Sequence, residues 1–206
     1  MSSLAPARPA YEDVPCPLCG AQSVEPRWRI PNRTHPGVYV NSVLYPIAEA
    51  HTIVRCRRCG LLFASPRLAR GDGLWTYSEA EAAAYFAATR ADRRAGNDAL
   101  LRTLAAHGGR GRLLDAGCGD GLLLAQAAAR GWQAWGIERS HTLAEGIAHG
   151  TDPQRVLVGD VAGLPFPSEA FDVVTLINVI EHVPDPVAVL AEAARVTRAQ
   201  GLIAVH

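Results

Sequence analysis

From residue 111 onward, short apolar runs alternate with longer amphipathic segments. In order they are "RLLDAG", "GLLLAQAAAR", "QAWGIE", "HTLAEGIAH", "RVLVGD", "FDVVTLIN", "VAVLAEAARVTR" and "GLIAVH". The short runs, bounded by Gly, Asp or Asn, read as strands buried on both faces. The longer segments repeat their apolar positions at helical spacing and read as helices. Strand alternating with helix predicts βαβ units, and so an α/β core with a doubly wound parallel sheet covered by helices on both faces. Such sheets bind ligands at the carboxyl ends of their strands, near the point where strand order reverses. The residues at those ends are therefore the first candidates for chemistry.

The chain before residue 76 follows a different pattern. Residues 1–75 are irregular, rich in Pro and Arg, and contain "CPLCG" and "CRRCG". Each is a Cys-x-x-Cys turn followed by Gly, a residue that accepts positive φ at no steric cost. Two matching knuckles offer four thiolates, the number a tetrahedral zinc ion takes, so Cys16, Cys19, Cys56 and Cys59 are the candidate metal ligands. A redox dithiol or ordinary buried thiols are the competing readings. The interval from Cys19 to Cys56 is about twice the ~15–20 residues of a compact ribbon, which predicts an insertion, with "GVYVNSVLYPI" as a strand pair inside it. His35 and His51 are expected to be loop residues, since a complete Cys set leaves them no place. Residues 76–110, dense in Ala, Glu and Arg, predict one or two helices joining this zinc-ribbon-like domain to the core at 111–206. Their aromatics Tyr77, Tyr85 and Phe86 are expected to pack the helix on the core, the alternative being a lid over a ligand.

Composition narrows the partners. Twenty basic and twenty acidic residues cancel, and every basic one is Arg. A neutral chain has no global field to draw in nucleic acid or an anionic membrane. No apolar run is long enough to span a bilayer and no signal core opens the chain, so the expectation is a cytoplasmic protein. In a reducing compartment paired cysteines point to metal before disulfide.

The stretch "LLDAGCGDG" ends the first strand of the core. A dinucleotide fingerprint needs a small residue where Leu122 stands, and a phosphate-binding loop needs a Lys that this turn lacks. Asp115 and Asp120 flank the turn, where carboxylates would repel a pyrophosphate and favour a ligand with cationic groups. Glu138, with Arg139 after it, ends the second strand at the place where an acid commonly accepts both hydroxyls of a ribose. Asp160, followed by Val161, ends the third and is placed to accept from an exocyclic amine such as that of adenine. Asn178 ends the fourth. A glycine turn, a ribose acid, a base-reading acid and no phosphate site together describe S-adenosylmethionine.

"LLDAGCGDG", "WGIE", "VGDVAGLPFPSEAFDVV" and "NVIEHVPDP", collinear over the second half of the chain, resemble the motif series of class I S-adenosylmethionine-dependent methyltransferases. The resemblance implies a Rossmann-like fold. It places Gly117 and Gly119 against the methionine arm, Glu138 on the ribose, and Asp160 with Val161 at the adenine. Asp115 either meets the ligand or organises the glycine loop through backbone hydrogen bonds. The double knuckle resembles the zinc-binding segment of methyltransferases that act on sugars, glycans and other small metabolites. The implied function is O- or C-methylation of a small molecule, with His182 either the general base or a residue that shapes its loop. The alternatives are a non-catalytic module binding zinc and S-adenosylmethionine, and an RNA methyltransferase. The family fold has seven strands, and "GLIAVH" reads as the fifth. The core is therefore expected to be C-terminally incomplete, with its fifth strand an edge open to self-association.

Overall fold

The computed structural model describes residues 11–31, 38–40, 43–45, 50–68, 79–147, 155–183 and 185–206. His35 and Tyr77 lie outside them. The chain divides into two compact units, residues 1–78 and 79–206. Among the described residues no helix is long and apolar enough to cross a membrane.

The first unit is built from short antiparallel strands. β1 (Tyr11–Glu12) pairs with β7 (Arg67–Leu68). β2 (Val24–Pro31), β5 (Ala50–Cys56) and β6 (Leu62–Ala64) form a sheet in the order β2-β5-β6. Pro26 lies within β2, and the edge position of that strand explains why a residue without an N–H is tolerated there. The predicted strand pair is present as β3 (Val38–Val40) against β4 (Val43–Tyr45). Among the residues of this unit whose side chains are described, Cys16, Val54, Cys56 and Ser65 are buried, two of them cysteines of the knuckles.

The second unit opens with α1 (Glu79–Ala88) and α2 (Arg90–Ala106). After them come β8 (Arg112–Ala116), α3 (Leu122–Ala128), β9 (Gln133–Glu138), α4 (His141–Gly146), β10 (Val156–Val158), β11 (Phe171–Leu176), α5 (Pro186–Val196) and β12 (Thr197–Val205). The five strands lie in the order β10-β9-β8-β11-β12, and every pair is parallel. Strand order reverses between β8 and β11, so the cleft there opens where the glycine turn leaves β8.

The two-residue side-chain period of the strands divides the core. Leu113 and Val173 face a cluster with Leu101 and Leu104 of α2 and Leu123, Leu124 and Ala127 of α3. Leu114, Ile137, Val174 and Leu176 face the other way, onto Val189, Ala193 and Val196 of α5. Both faces are thus dry, which is why the strands read as unbroken apolar runs. Helix starts are capped locally: Ser140 Oγ accepts from the Leu143 N–H at 3.3 Å, and Asp185 Oδ1 from the Ala188 N–H at 3.0 Å. Pro186 follows Asp185 directly, at the start of α5 where a missing N–H costs nothing.

Candidate functional site

The turn between β8 and α3 is held from the neighbouring strand. The N–H groups of Gly117 and Cys118 both donate to the Ile137 carbonyl, at 2.8 and 3.0 Å. Glu138 continues the tie: its Oε2 accepts from the Gly119 N–H at 2.9 Å and its Oε1 from the Ser140 N–H at 2.9 Å. One carboxylate therefore holds the glycine turn and the start of the α4 loop together at the end of β9. The residue that organises the glycine loop is Glu138, a role the resemblance offered to Asp115.

Asp115 is buried beneath the turn, and the Thr175 hydroxyl donates to its Oδ1 at 2.7 Å. Burial pushes its carboxyl up to about 7, against the pull of Thr175 and with the charges of Glu138 and Asp120 adding to the rise. Asp120 is partnered in another way. Arg93 of α2 grips both of its oxygens, each at 2.7 Å, and Arg90 stands at 3.7 Å. By their place in the sequence these two acids were expected to face a ligand as charges. Burial favours the neutral form of one, and a guanidinium compensates the other. The case against a phosphate in this turn then rests on Leu122, buried where a fingerprint needs a small residue, and on the lack of a Lys.

The glycines serve close packing as well as the turn. Gly117, Gly119 and Gly121 all have positive φ, at 86°, 56° and 71°. A Cβ on Gly119 would lie 2.7 Å from the Phe86 ring, and one on Gly117 would lie 2.5 Å from Val179. Phe86 was expected to pack α1 on the core. Its ring instead caps Gly119, with the Arg93 guanidinium 4.7 Å from its centroid and Arg93 Nη2 donating to its carbonyl at 3.0 Å. Sequence reasoning missed Arg93 and Thr175, because neither carries a signal until the fold sets it beside its partner. Cys118 is buried and fills space against Gly136, and its thiol is pushed far up by burial and the surrounding acids.

The other candidates lie along the same rim. Asp160 follows β10, exposed, with Oδ1 accepting from the Ala162 N–H at 2.8 Å, and Val161 packs its side chain against the α5-side core. Arg139 is exposed just after β9. Asn178 adopts φ 53°, which Asn tolerates, and its Oδ1 lies 3.2 Å from Nδ1 of His206 at the end of β12. His182 is exposed in the turn after β11, with Nε2 3.9 Å from Glu181 Oε1.

In the first unit the four predicted cysteines converge. The Cys16 and Cys59 sulfurs are 3.5 Å apart, those of Cys19 and Cys56 are 3.6 Å apart, and all four lie within 4.8 Å of one another. The knuckles repeat one backbone pattern. Gly20 donates to the Cys16 carbonyl at 2.8 Å and Gly60 to that of Cys56 at 3.0 Å, each glycine at positive φ. Sulfurs around a tetrahedral zinc ion with bonds of about 2.3 Å are about 3.8 Å apart, so this donor set fits the metal in number, softness and spacing. Within the cluster the thiols pull apart: the Cys59 backbone N–H draws the Cys56 thiol down, while burial and the neighbouring thiols push that of Cys59 up.

A parallel five-stranded sheet with a glycine turn at its switch point and an acid at the next strand's end is a Rossmann-like α/β domain. Residues 114–205 match the methyltransferase domain family, and the second unit has the fold of class I S-adenosylmethionine-dependent methyltransferases. A ubiquinone biosynthesis O-methyltransferase of Hahella chejuensis is 38% identical over 96 residues, 42% of this chain and 39% of that protein. The enzyme of the same description from Leptothrix cholodnii is 34% identical over 98 residues, 45% of this chain and 42% of its own. Among solved structures, a protein of Pyrococcus horikoshii superposes with a TM-score of 0.50 at 25% identity, covering 56% of this chain and 53% of its own. A Methanococcus maripaludis protein, provisionally described as an S-adenosyl-L-methionine-dependent methyltransferase, reaches 0.54 at 14% identity over 66% and 68% of the two chains, a likeness of fold. The chain spans about two fifths of the length of the curated relatives it matches.

Proposed function

We propose that the protein transfers a methyl group from S-adenosylmethionine to a small-molecule acceptor, and that its four-cysteine cluster holds one structural zinc ion. The observation that carries the first part is Glu138. Each of its oxygens already accepts one backbone N–H, from Gly119 and from Ser140. A carboxylate oxygen accepts about two hydrogen bonds, so one acceptor site on each remains for the two hydroxyls of a ribose.

When bound, S-adenosylmethionine supplies a methyl group on a sulfonium that is its own leaving group. The protein's part is to align the acceptor and, for a hydroxyl, to take a proton. The named relatives methylate oxygen, which supports a hydroxyl acceptor here. His182, at the β11 rim, is our candidate for the base. The balanced charge of the chain favours a small metabolite over a nucleic acid.

The test is calorimetric titration of the full chain with S-adenosylhomocysteine and with NAD. The demethylated cofactor should bind and NAD should not. Tighter binding of NAD would overturn the cofactor assignment. Binding of S-adenosylhomocysteine with no methyl transfer to any phenol, catechol or sugar acceptor offered would favour a non-catalytic module.

A further inference from the structure

Glu192 and Arg195 stand one turn apart on α5 and form a forked ion pair. Arg195 Nε donates to Glu192 Oε1 and Nη2 to Oε2, both at 2.8 Å. Both side chains also reach across to the segment that follows Asp160. Arg195 Nη1 donates to the Phe166 carbonyl at 2.8 Å and Nη2 to the Leu164 carbonyl at 3.0 Å, while Glu192 Oε2 accepts from the Leu164 N–H at 3.0 Å. In the opposite direction the Arg195 carbonyl accepts from the Glu169 N–H at 2.9 Å. The segment is also seated from the core side: Leu164 is buried, and the Phe166 ring meets Phe171 edge-on at 4.9 Å.

The local sequence explains the need for these contacts. In "GLPFPSEA" the two prolines, Pro165 and Pro167, have no N–H and cannot join a backbone ladder. The Leu164 and Phe166 carbonyls need donors from elsewhere, and a planar guanidinium can serve two carbonyls and a carboxylate at once where an ammonium cannot. Hydrogen bonds from Arg195 hold Glu192 below the usual carboxylate range, so the pair stays ionised at neutral pH.

We propose that the Glu192–Arg195 pair positions the base-reading loop, residues 160–169, and thereby sets the preference for adenine over a base without the exocyclic amine. The proposal rests on the reading that the domain binds S-adenosylmethionine with Asp160 accepting from that amine. Glu192 and Arg195 are positioning residues: they act through the loop and touch no ligand. Loosening the loop lets Asp160 drift from the amine, so the contact that separates adenine from hypoxanthine is lost first.

The experiment compares S-adenosylhomocysteine with S-inosylhomocysteine, in which a carbonyl oxygen replaces the amine. Both are titrated into the unmodified full chain and into Arg195→Lys, Arg195→Gln and Glu192→Gln. The unmodified protein should prefer the adenosyl ligand by about tenfold or more, the range of one hydrogen bond to a charged group. The variants should bring that preference to within about threefold, and Lys should not rescue it. Equal loss of affinity for both ligands with the preference intact would mark a merely structural role and overturn the proposal while leaving the cofactor reading in place. Glu192→Gln keeps the side chain's shape but sets an amide N–H against the donors of Arg195 or Leu164, and it decides the matter if the Arg195 variants do not fold. An unmodified protein that binds both ligands equally, or neither, overturns the base-side reading and this proposal with it.

Discussion

Glu138 and Asp115 are both acids at strand ends, yet their partners differ. Glu138 accepts two backbone N–H groups, from Gly119 and Ser140, whereas Asp115 accepts from the Thr175 hydroxyl in the interior. In Glu138→Gln an amide N–H must face one of those donors, so the glycine turn loosens and the ribose loses an acceptor. Affinity for S-adenosylhomocysteine should fall by about tenfold to a hundredfold, the range of one hydrogen bond to a charged group. A double-mutant cycle with a 2′-deoxy ligand separates the ribose contact from damage to the turn, and purely additive losses would remove the ribose from Glu138. Burial favours the neutral form of Asp115. Its folded value of about 7 lies above the ~3.9 of an unfolded Asp, so the folded state holds a proton that the unfolded state has released between those values. Its contribution is therefore fully present below about pH 4 and is lost as pH rises through about 7, on the order of a few kcal/mol in total. Asp115→Asn does not titrate, so its melting temperature relative to the unmodified protein should climb from pH 5 to pH 8. A difference that stays level across that range would contradict the raised value.

At the scale of elements, the knuckles and the glycine turn show how far local rules reach. Each Cys-x-x-Cys-Gly stretch closes on itself through a bond from glycine to the first cysteine's carbonyl, a pattern visible in five letters. Which knuckle meets which is not visible there. The crossed pairs Cys16 with Cys59 and Cys19 with Cys56 follow from β5, which carries Cys56 at its end, lying beside β2. The full chain should bind one zinc ion, and Cys19→Ser or Cys59→Ser should lose it, as measured by elemental analysis. Because two of the buried residues described in this unit are the metal-ligand candidates Cys16 and Cys56, chelation should melt it, read as a gain of protease cleavage within residues 11–68. Full zinc retention by both variants would defeat the assignment. The α1–α2 segment shows the limit of periodicity. Its helices were legible, but the aromatic residue expected to face the core covers the glycine turn, because Arg93 anchors it there through Asp120.

For the whole molecule, a two-unit organisation, the parallel order of strand and helix, and the four metal-ligand candidates were legible in the sequence. Each depends on short-range information: a hydrophobic period of two or 3.6, a glycine at positive φ, a cysteine spacing. Even Glu138 could be singled out, because a βαβ unit of ordinary length brings the end of its second strand beside the first turn. What the sequence by itself could not determine is electrostatic and relational. It showed three acids near the turn and gave no means of telling that one is buried against Thr175, one is held by Arg93 and one binds the loop itself. Nor did it show that Arg195 serves the carbonyls of a proline-broken loop on another element. The charge state of a carboxyl depends on solvent exclusion and on donors brought from residues distant in the chain. Those quantities exist only once the sheet has closed and the helices cover it, so tertiary structure alone decided how each acid is partnered.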